Sequence, residues 1–322
     1  MHSAISSHTG GSGMFRYFIK RLIAVIPVAL GVTFVLFSLL YITPGDPARI
    51  ALGEEATEES LQEFRKEYGL DQPFLIRYGI FVYNVVVHQD MGRSFVTRRP
   101  VAGEIANTFP ATLNLAAGAI VLATGLGLTF GIICAIKQYS IFDNVTMVIA
   151  MLGISTPIFY LGILLILWFS VHLRWLPSSG FDTLSQRILP WITLSATSMS
   201  IITRMTRSSM LEVIRSDYIR TARAKGQKES VIILKHALRN ALIPIITIVG
   251  IQFGHLLGGS ILTESVFSIA GVGRLAVEAI KARDYPIVQG AVLYVAIAYV
   301  FINLFVDLLY AWVDPRLRTR YK

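Results

Sequence analysis

Charge is the first thing this sequence lacks. Of 322 residues only 15% are Asp, Glu, Lys or Arg, where a soluble domain carries roughly 25%, and mean hydropathy is +0.60. A single buried core cannot absorb that much apolar side chain, because cores stop growing near ~250–300 residues and still need a charged surface. The chain therefore belongs in lipid. Cysteine is nearly absent: Cys134 stands alone inside an apolar run, which excludes an intramolecular disulfide and a Cys-rich metal site. There is no Gly-x-x-x-x-Gly-Lys phosphate loop and no His-Glu-x-x-His, so P-loop ATP hydrolysis and that class of zinc hydrolase are excluded as well. Gly153-Ile154-Ser155 has no base to make a nucleophile of Ser155 and reads, with Thr156-Pro157, as a helix kink. Ion-coupled carriers place ionisable groups within their spans, and here only His255 and Asp307 are candidates. The sequence thus predicts no catalytic residue, no metal site and no cofactor held by this chain.

What is present is a set of long runs free of charge. A helix needs ~20 apolar residues to cross ~30 Å of hydrocarbon, and six runs or near-runs qualify. They are 22–45, 105–136, 144–173 with a kink at Pro157, 188–203 with Trp191 as an interfacial anchor, 240–263, and 285–306 continuing past Asp307 to Val313. The first run exceeds the 7–15 residues of a signal-peptide core and no small-x-small site follows it, so it is expected to be a retained helix. Residues 1–13 read as a flexible tail or an expression remnant before an alternative start at Met14. The resulting plan has a first helix over 14–45, an external segment over 46–104, a five-helix core over 105–313 with a cytoplasmic loop at 204–239, and a basic tail over 314–322.

Six spans divide the charges into two sets. The termini and the loops at 137–143 and 204–239 carry 17 Lys+Arg against 6 Asp+Glu, a net of +11, and the remainder carries 12 against 14, a net of −2. The positive-inside bias places the first set, with both termini, in the cytoplasm. The overall +9 is then topology. A nucleic-acid partner is excluded, since the cations are split among four segments and make no contiguous basic face.

Within the outer segment, Leu61, Phe64 and Tyr68 share a helical face, and Glu58, Glu59 and Glu63 lie towards the helix start, where acids are favoured. This predicts a small helical cap on the outer ends of the spans. In the fifth run Gly250, Gly254 and Gly258 recur every four residues, as do Gly127 and Gly131 in the second, and such stripes let helices approach closely. With Gln252, His255 and Ser260 beside it, the fifth-run stripe is also a candidate lining for a polar solute path. Asp307 is expected to pair with a basic residue such as Arg204.

The loop 204–239 is patterned as helix. Leu211, Ile214, Tyr218 and Ala222 define an apolar face, Arg220 and Arg223 project elsewhere, and Lys225-Gly226-Gln227 breaks the helix before a second one begins near Val231. The result is a helix-glycine-helix elbow along the membrane surface. Its sequence, Asp217-Tyr218-Ile219-Arg220-Thr221-Ala222-Arg223-Ala224-Lys225-Gly226 followed by His236-Ala237-Leu238-Arg239-Asn240, resembles the coupling loop of ABC importer permeases. More narrowly, it resembles the B-type permeases of dipeptide, oligopeptide and glutathione importers. The likeness extends from Met14 over nearly the whole chain, through Pro44-Gly45-Asp46-Pro47, Gly69-Leu70-Asp71-Gln72-Pro73, Arg204-Met205-Thr206-Arg207, Arg283-Asp284-Tyr285-Pro286 and Asn303-Leu304-Phe305. The general permease motif begins Glu-Ala-Ala, where this chain has Arg220-Thr221-Ala222, a divergence that peptide-family permeases share.

The resemblance implies an all-α integral membrane protein of the type I ABC importer permease kind. Its partners would be a second related permease, two cytoplasmic ABC ATPase subunits that bind ATP and Mg, an external solute-binding protein and membrane lipid, all in a bacterial inner membrane. Arg220, Arg223 and Lys225 would contact the ATPase, Gly226 would set the elbow, and Ala222 and Ala224 would fit a groove. Small peptides are the implied cargo. Nickel is the alternative within the same family, and a carrier or channel acting alone is the alternative outside it.

Overall fold

The structure, a computed structural model, describes residues 10–43, 45–53 and 55–313, and their side chains apart from those of 10–22, 25 and 307–313. The terminal tails at 1–9 and 314–322 and the Asp307 side chain lie outside the described residues. Helix α1 spans Gly10–Ile42 and so begins inside the segment expected to be a flexible tail. After α1 come the short helices α2 (Pro47–Leu52), α3 (Glu58–Glu67) and α4 (Phe74–Tyr83). The long α5 (Val101–Ile136) leads into the bent pair α6 (Ile141–Ser155) and α7 (Ile158–Leu165), and then α8 (Leu184–Ile214). The chain closes with α9 (Asp217–Ala224), α10 (Glu229–Val266), α11 (Val272–Lys281) and α12 (Tyr285–Val313). Among the described residues the only β pairing is one antiparallel bridge between Arg93 and Pro100.

Helices α5 and α8 make the most extensive contact in the molecule, and the reason is in their small residues. A Cβ at Gly127 would stand 2.8 Å from Ile202 of α8, and one at Gly131 would stand 2.8 Å from the Thr203 carbonyl. Without side chains there the two backbones meet. Leu115, Ala119, Leu194, Ile202, Leu257 and Phe267 fill the core between α5, α8 and α10. Trp191, expected as an interfacial anchor, is half-buried against α5: its indole lies over Gly118 and donates from Nε1 to the Asn114 carbonyl at 3.3 Å.

Three helices pass a length and hydropathy criterion for crossing a membrane among the described residues: Val101–Ile136, Glu229–Val266 and Tyr285–Val306. The α6–α7 pair makes a fourth if it is one span, but it bends by 108°. Pro157 supplies no N–H and obstructs the turn before it, and Thr156 is already extended. The expected kink is thus sharper than a right angle. Helix α8 runs well past the expected 188–203, and its Thr193, Ser195, Ser198, Ser200, Thr203 and Thr206 are buried within the protein. Those hydroxyls lower its hydropathy without meeting lipid.

Helices α2 and α3 and the loop around Phe95 pack together as a small cap on the start of α12. Thr57 caps α3 by accepting from the Ser60 N–H at 3.3 Å, Glu58 and Glu59 follow in the first turn, and Leu61 and Phe64 bury against Ala48, Phe95 and Tyr285. Asp284, itself 4% exposed, clips the cap to the start of α12: it accepts from the Ser94 hydroxyl and from the Phe95 N–H at 3.0 Å. Asp46 caps α2 through the Ala48 N–H at 3.0 Å and pairs with Arg65 of α3. Burial by itself would raise the Asp46 carboxyl, but the Arg65 hydrogen bond, the Ala48 N–H and the neighbouring guanidinium charges hold it below the usual carboxylate value of 3.8. A carboxyl lowered by folding stabilises above its unfolded pKa and ceases to do so as pH falls through the folded one. Hydrogen-exchange protection of α2 and α3, corrected for intrinsic rate, is therefore expected to drop below about pH 4, and Arg65→Gln to flatten that dependence.

Candidate functional site

The patterned loop folds as an elbow, though not with the helical face its sequence predicts. Helix α8 continues through Leu211 and Ile214, and the chain then breaks at Arg215-Ser216, where Ser216 is extended ahead of α9. No single helix carries Leu211, Ile214, Tyr218 and Ala222. The anchor of α9 is Ile219, fully buried against Met210, Ile232, Ile233, Ala237 and Ala241, while Tyr218 is 46% exposed and its hydroxyl accepts from Asn240 at 2.9 Å. Ala222 is half-buried in the same cluster and Thr221, Ala224 and Lys225 are exposed.

At the turn, Gly226 takes φ +73 and its N–H donates to the Arg223 carbonyl at 2.9 Å. The space around it is open, so glycine is required by backbone conformation and not by crowding. Arg223 does not project freely: it makes two hydrogen bonds to Glu229 across the elbow, at 2.6 and 3.2 Å. His236 and Gln227 add a second cross-brace at 2.8 Å. Arg220 reaches Asp217 only at 3.8 Å, with both side chains largely in solvent. The elbow therefore presents Arg220, Thr221, Ala224 and Lys225 outward from a rigid frame.

The glycine stripe of α10 divides by face. A Cβ at Gly250 would strike Val306 and one at Gly254 the Tyr299 ring, so both serve close contact with α12. Gln252 turns towards α8, where its amide donates to the Ser198 hydroxyl at 3.1 Å, and Ser260 bonds back to the Leu257 carbonyl. Gly254, His255 and Gly258 line a cavity of about 730 Å³ bounded by Val28 and Val32 of α1, Thr112 of α5, Val272 of α11 and Tyr299 of α12. That volume falls in the range of small-molecule sites. The six residues are thus not one lining: Gly254, His255 and Gly258 border the cavity, Gly254 while also packing on Tyr299, and Gly250, Gln252 and Ser260 pack.

Arg204 is exposed, and its expected partner Asp307 lies outside the described side chains. Two buried acids escape the sequence reading. Asp143, 1% exposed, receives the Arg207 guanidinium in a fork at 2.6 and 2.7 Å and the Tyr139 N–H at 3.0 Å, tying the α5–α6 turn to α8. Glu264, with no exposed surface, accepts from the Thr112 hydroxyl at 2.7 Å and from the Arg274 N–H at 2.9 Å. The signal for Glu264 was its place one residue past the fifth apolar run, followed by Gly271-Val272-Gly273, whose missing side chains make room for its carboxylate.

Comparison with known proteins bears on this geometry. A profile described as "Binding-protein-dependent transport system inner membrane component" matches residues 127–319, and one for the N-terminal part of such membrane components matches 14–116. The chain is 44% identical to the dipeptide transport system permease protein DppB of Alkalihalophilus pseudofirmus, over 95% of this chain and all of that protein. It is 45% identical to the glutathione transport system permease protein GsiC of Pectobacterium atrosepticum and of Escherichia coli K12, over 95% of this chain and 99% of each. In fold it is similar to the MetNI methionine ABC transporter in inward-facing conformations, with TM-scores of 0.54 and 0.55 at 20% identity, covering 66% of this chain and 97% of that one. On these grounds the chain belongs to the family of binding-protein-dependent transport system inner membrane components, built on the permease fold of type I ABC importers.

Proposed function

We propose that this chain forms half of the translocation path of a binding-protein-dependent ABC importer whose cargo is a dipeptide or a similar small peptide such as glutathione. The observation that carries the reading is identity of about 45% across 95% of the chain with permeases named for those two cargoes; those names favour peptide over nickel. A second related permease would complete the path, two ATPase subunits would dock on the α9 elbow, and a solute-binding protein would deliver cargo at the end that carries the cap. Both termini and the elbow would then face the cytoplasm, with six crossings made by α1, α5, the α6–α7 pair, α8, α10 and α12. The cavity bordered by Gly254, His255 and Gly258 is the stretch of path that this chain contributes. Alternating access would come from the ATPases pushing α9, whose seat on Ile219 passes the motion to α8 and α10.

The test is ATP-driven uptake of labelled dipeptide and glutathione into proteoliposomes holding the chain with a partner permease and ABC ATPases. Uptake that persists without the ATPases would sink the reading in favour of a lone carrier. Gly226→Pro sharpens the test, because proline fixes φ near −65° and removes the N–H donated to Arg223. Uptake is expected to fall about tenfold or more, in line with coupling energies of a few kcal/mol. Normal uptake by an intact complex would overturn the role of the elbow.

A further inference from the structure

Helix α4 is an unusual place for an arginine. Between Pro73 and Val87 the chain is apolar or uncharged except for Arg77, and Leu75, Ile76, Ile80, Tyr83, Val86 and Val87 are exposed. The helix does not stand off in solvent. It lies along the cap end of α1, with Phe74 and Tyr78 edge-on to Phe34 and Phe37 and the Tyr78 hydroxyl donating to the Leu30 carbonyl at 2.8 Å. Leu30 is twelve residues from the end of α1, about 18 Å at 1.5 Å per residue, so α4 reaches down beside a helix of the membrane domain. Both helices carry exposed apolar side chains here, Leu39, Tyr41 and Ile42 on α1 and Ile76 and Ile80 on α4, of the kind that lipid covers.

Arg77 stands where those side chains meet the cap. Its guanidinium sits 5.7 Å from the Phe37 ring centre and 5.9 Å from that of Tyr41, and it makes no ion pair or hydrogen bond among the described residues. Burial pushes it below the usual arginine range, offset only through space by Tyr41, Tyr285 and Asp71. It lines two adjoining hollows of about 160 and 140 Å³ that share Phe37, Tyr285 and Gln289. Tyr285 is 7% exposed and its hydroxyl has no hydrogen-bond partner. A guanidinium without an ion pair, a buried phenol without a hydrogen-bond partner and the Gln289 amide thus border the same two hollows, the larger of which Asn84, Asp90 and Arg93 also line.

We propose that this space holds the phosphate of a phospholipid headgroup, with Arg77 and the Tyr285 hydroxyl as donors and the acyl chains lying against Ile76, Ile80 and Tyr41. Each hollow is several times the ~30 Å³ of a water molecule, so a headgroup phosphate fits. Guanidinium and tetrahedral phosphate are matched in geometry and charge, and a half-buried cation in an otherwise apolar helix is stabilised by such a counter-ion.

The test uses the purified importer complex, delipidated and then given defined lipids, with retained lipid counted by native mass spectrometry. The wild type is expected to keep one phosphatidylglycerol or phosphatidylethanolamine at this chain that diacylglycerol does not displace. Arg77→Gln should weaken retention about tenfold, the effect of losing a charge-assisted hydrogen bond, and Tyr285→Phe should weaken it by a smaller factor with the ring left in place. Equal retention by wild type and Tyr285→Phe, with Arg77→Gln either equal or unfolded, would overturn the proposal. Displacement of the lipid by diacylglycerol would overturn the phosphate as the recognised group. Displacement by millimolar inorganic phosphate would overturn the lipid as its source, leaving a free-anion site.

Discussion

Arg207→Leu is expected to destabilise the membrane domain by about 3–5 kcal/mol, the usual cost of stranding one member of a buried ion pair. The size follows from where its partner sits. Asp143 is 1% exposed and is satisfied by the two guanidinium bonds and the Tyr139 N–H, so removing Arg207 leaves a carboxylate with one donor and no access to water. The Asp143→Leu change strands Arg207 less severely, because 22% of that side chain reaches solvent. The double variant Arg207→Met with Asp143→Leu is the informative comparison. It removes both charges and replaces them with apolar bulk, which in other proteins is neutral or stabilising, so it should recover most of the loss. A fluorescence-detected thermal melt of the purified complex measures all three, and melting of Arg207→Leu within 1–2 °C of the wild type would refute the assignment. The pair also has a mechanical position. It anchors the 137–140 turn to α8 two turns before the elbow at 215–226, so the double variant separates the two roles: stability recovered while uptake stays impaired would place Asp143–Arg207 on the proposed route from α9 to the other helices.

That ion pair also explains which parts of the fold were legible in the sequence. The apolar runs of α5, α10 and α12 are read directly, because their lipid-facing and protein-facing sides are both apolar and nothing interrupts them. The elbow break at Gly226 is legible for an equally local reason, a glycine at a required positive φ. Charge, by contrast, misleads. A rule that ends a span at its first charged residue stops α8 at Thr203, yet the helix runs to Ile214: Arg204 lies on the exposed side of the helix, and Arg207 finds its counter-charge 64 positions earlier in the chain. The same rule stops the fifth run at Thr263 and so discards Glu264, whose donors come from Thr112 and Arg274. Pairing over such separations leaves no periodic trace. The elbow's apolar face fails for a subtler reason: the period-3.6 pattern holds on either side of Arg215-Ser216, and only the extended Ser216 shows that the pattern belongs to two helices. The glycine stripe of α10 and its polar neighbours are not one surface: Gln252 and Ser260 each lie two residues, about 200° of helical turn, past a stripe glycine, and the neighbours α8 and α12 decide which face is open.

Glu264→Leu carries the other large expected effect, about 2–6 kcal/mol, because it leaves two buried donors without acceptors at roughly 1–3 kcal/mol each. Those donors are the Thr112 hydroxyl and the Arg274 N–H, and they belong to different elements. Thr112 is on α5 and in turn accepts from the Val272 N–H at 2.9 Å, so the carboxylate and one hydroxyl together hold the first turn of α11 to both α5 and the end of α10. A substitution series can tell this bridge from simple packing. Glutamine keeps the length and can still accept from Arg274 while its amide donates to Thr112, whose hydroxyl rotates to accept, so Glu264→Gln should cost no more than about 1 kcal/mol. Aspartate keeps the charge but withdraws the carboxylate by one methylene and should behave like leucine. Equal losses for Gln, Asp and Leu would mean that packing and not the bridge sets the energy. Alanine at Gly271 or Gly273 offers an independent route to the same contact, since a Cβ at Gly273 would stand 2.9 Å from one carboxylate oxygen and 2.8 Å from the Ile261 backbone. The consequence for transport follows from the cavity: Thr112, Val272 and Gly273 all border the space beside His255, so the bridge fixes its wall at the cap end. Glu264→Gln should leave uptake near that of the wild type, and Glu264→Asp should lower it in step with the melting temperature if the wall must be rigid for the path to open and close.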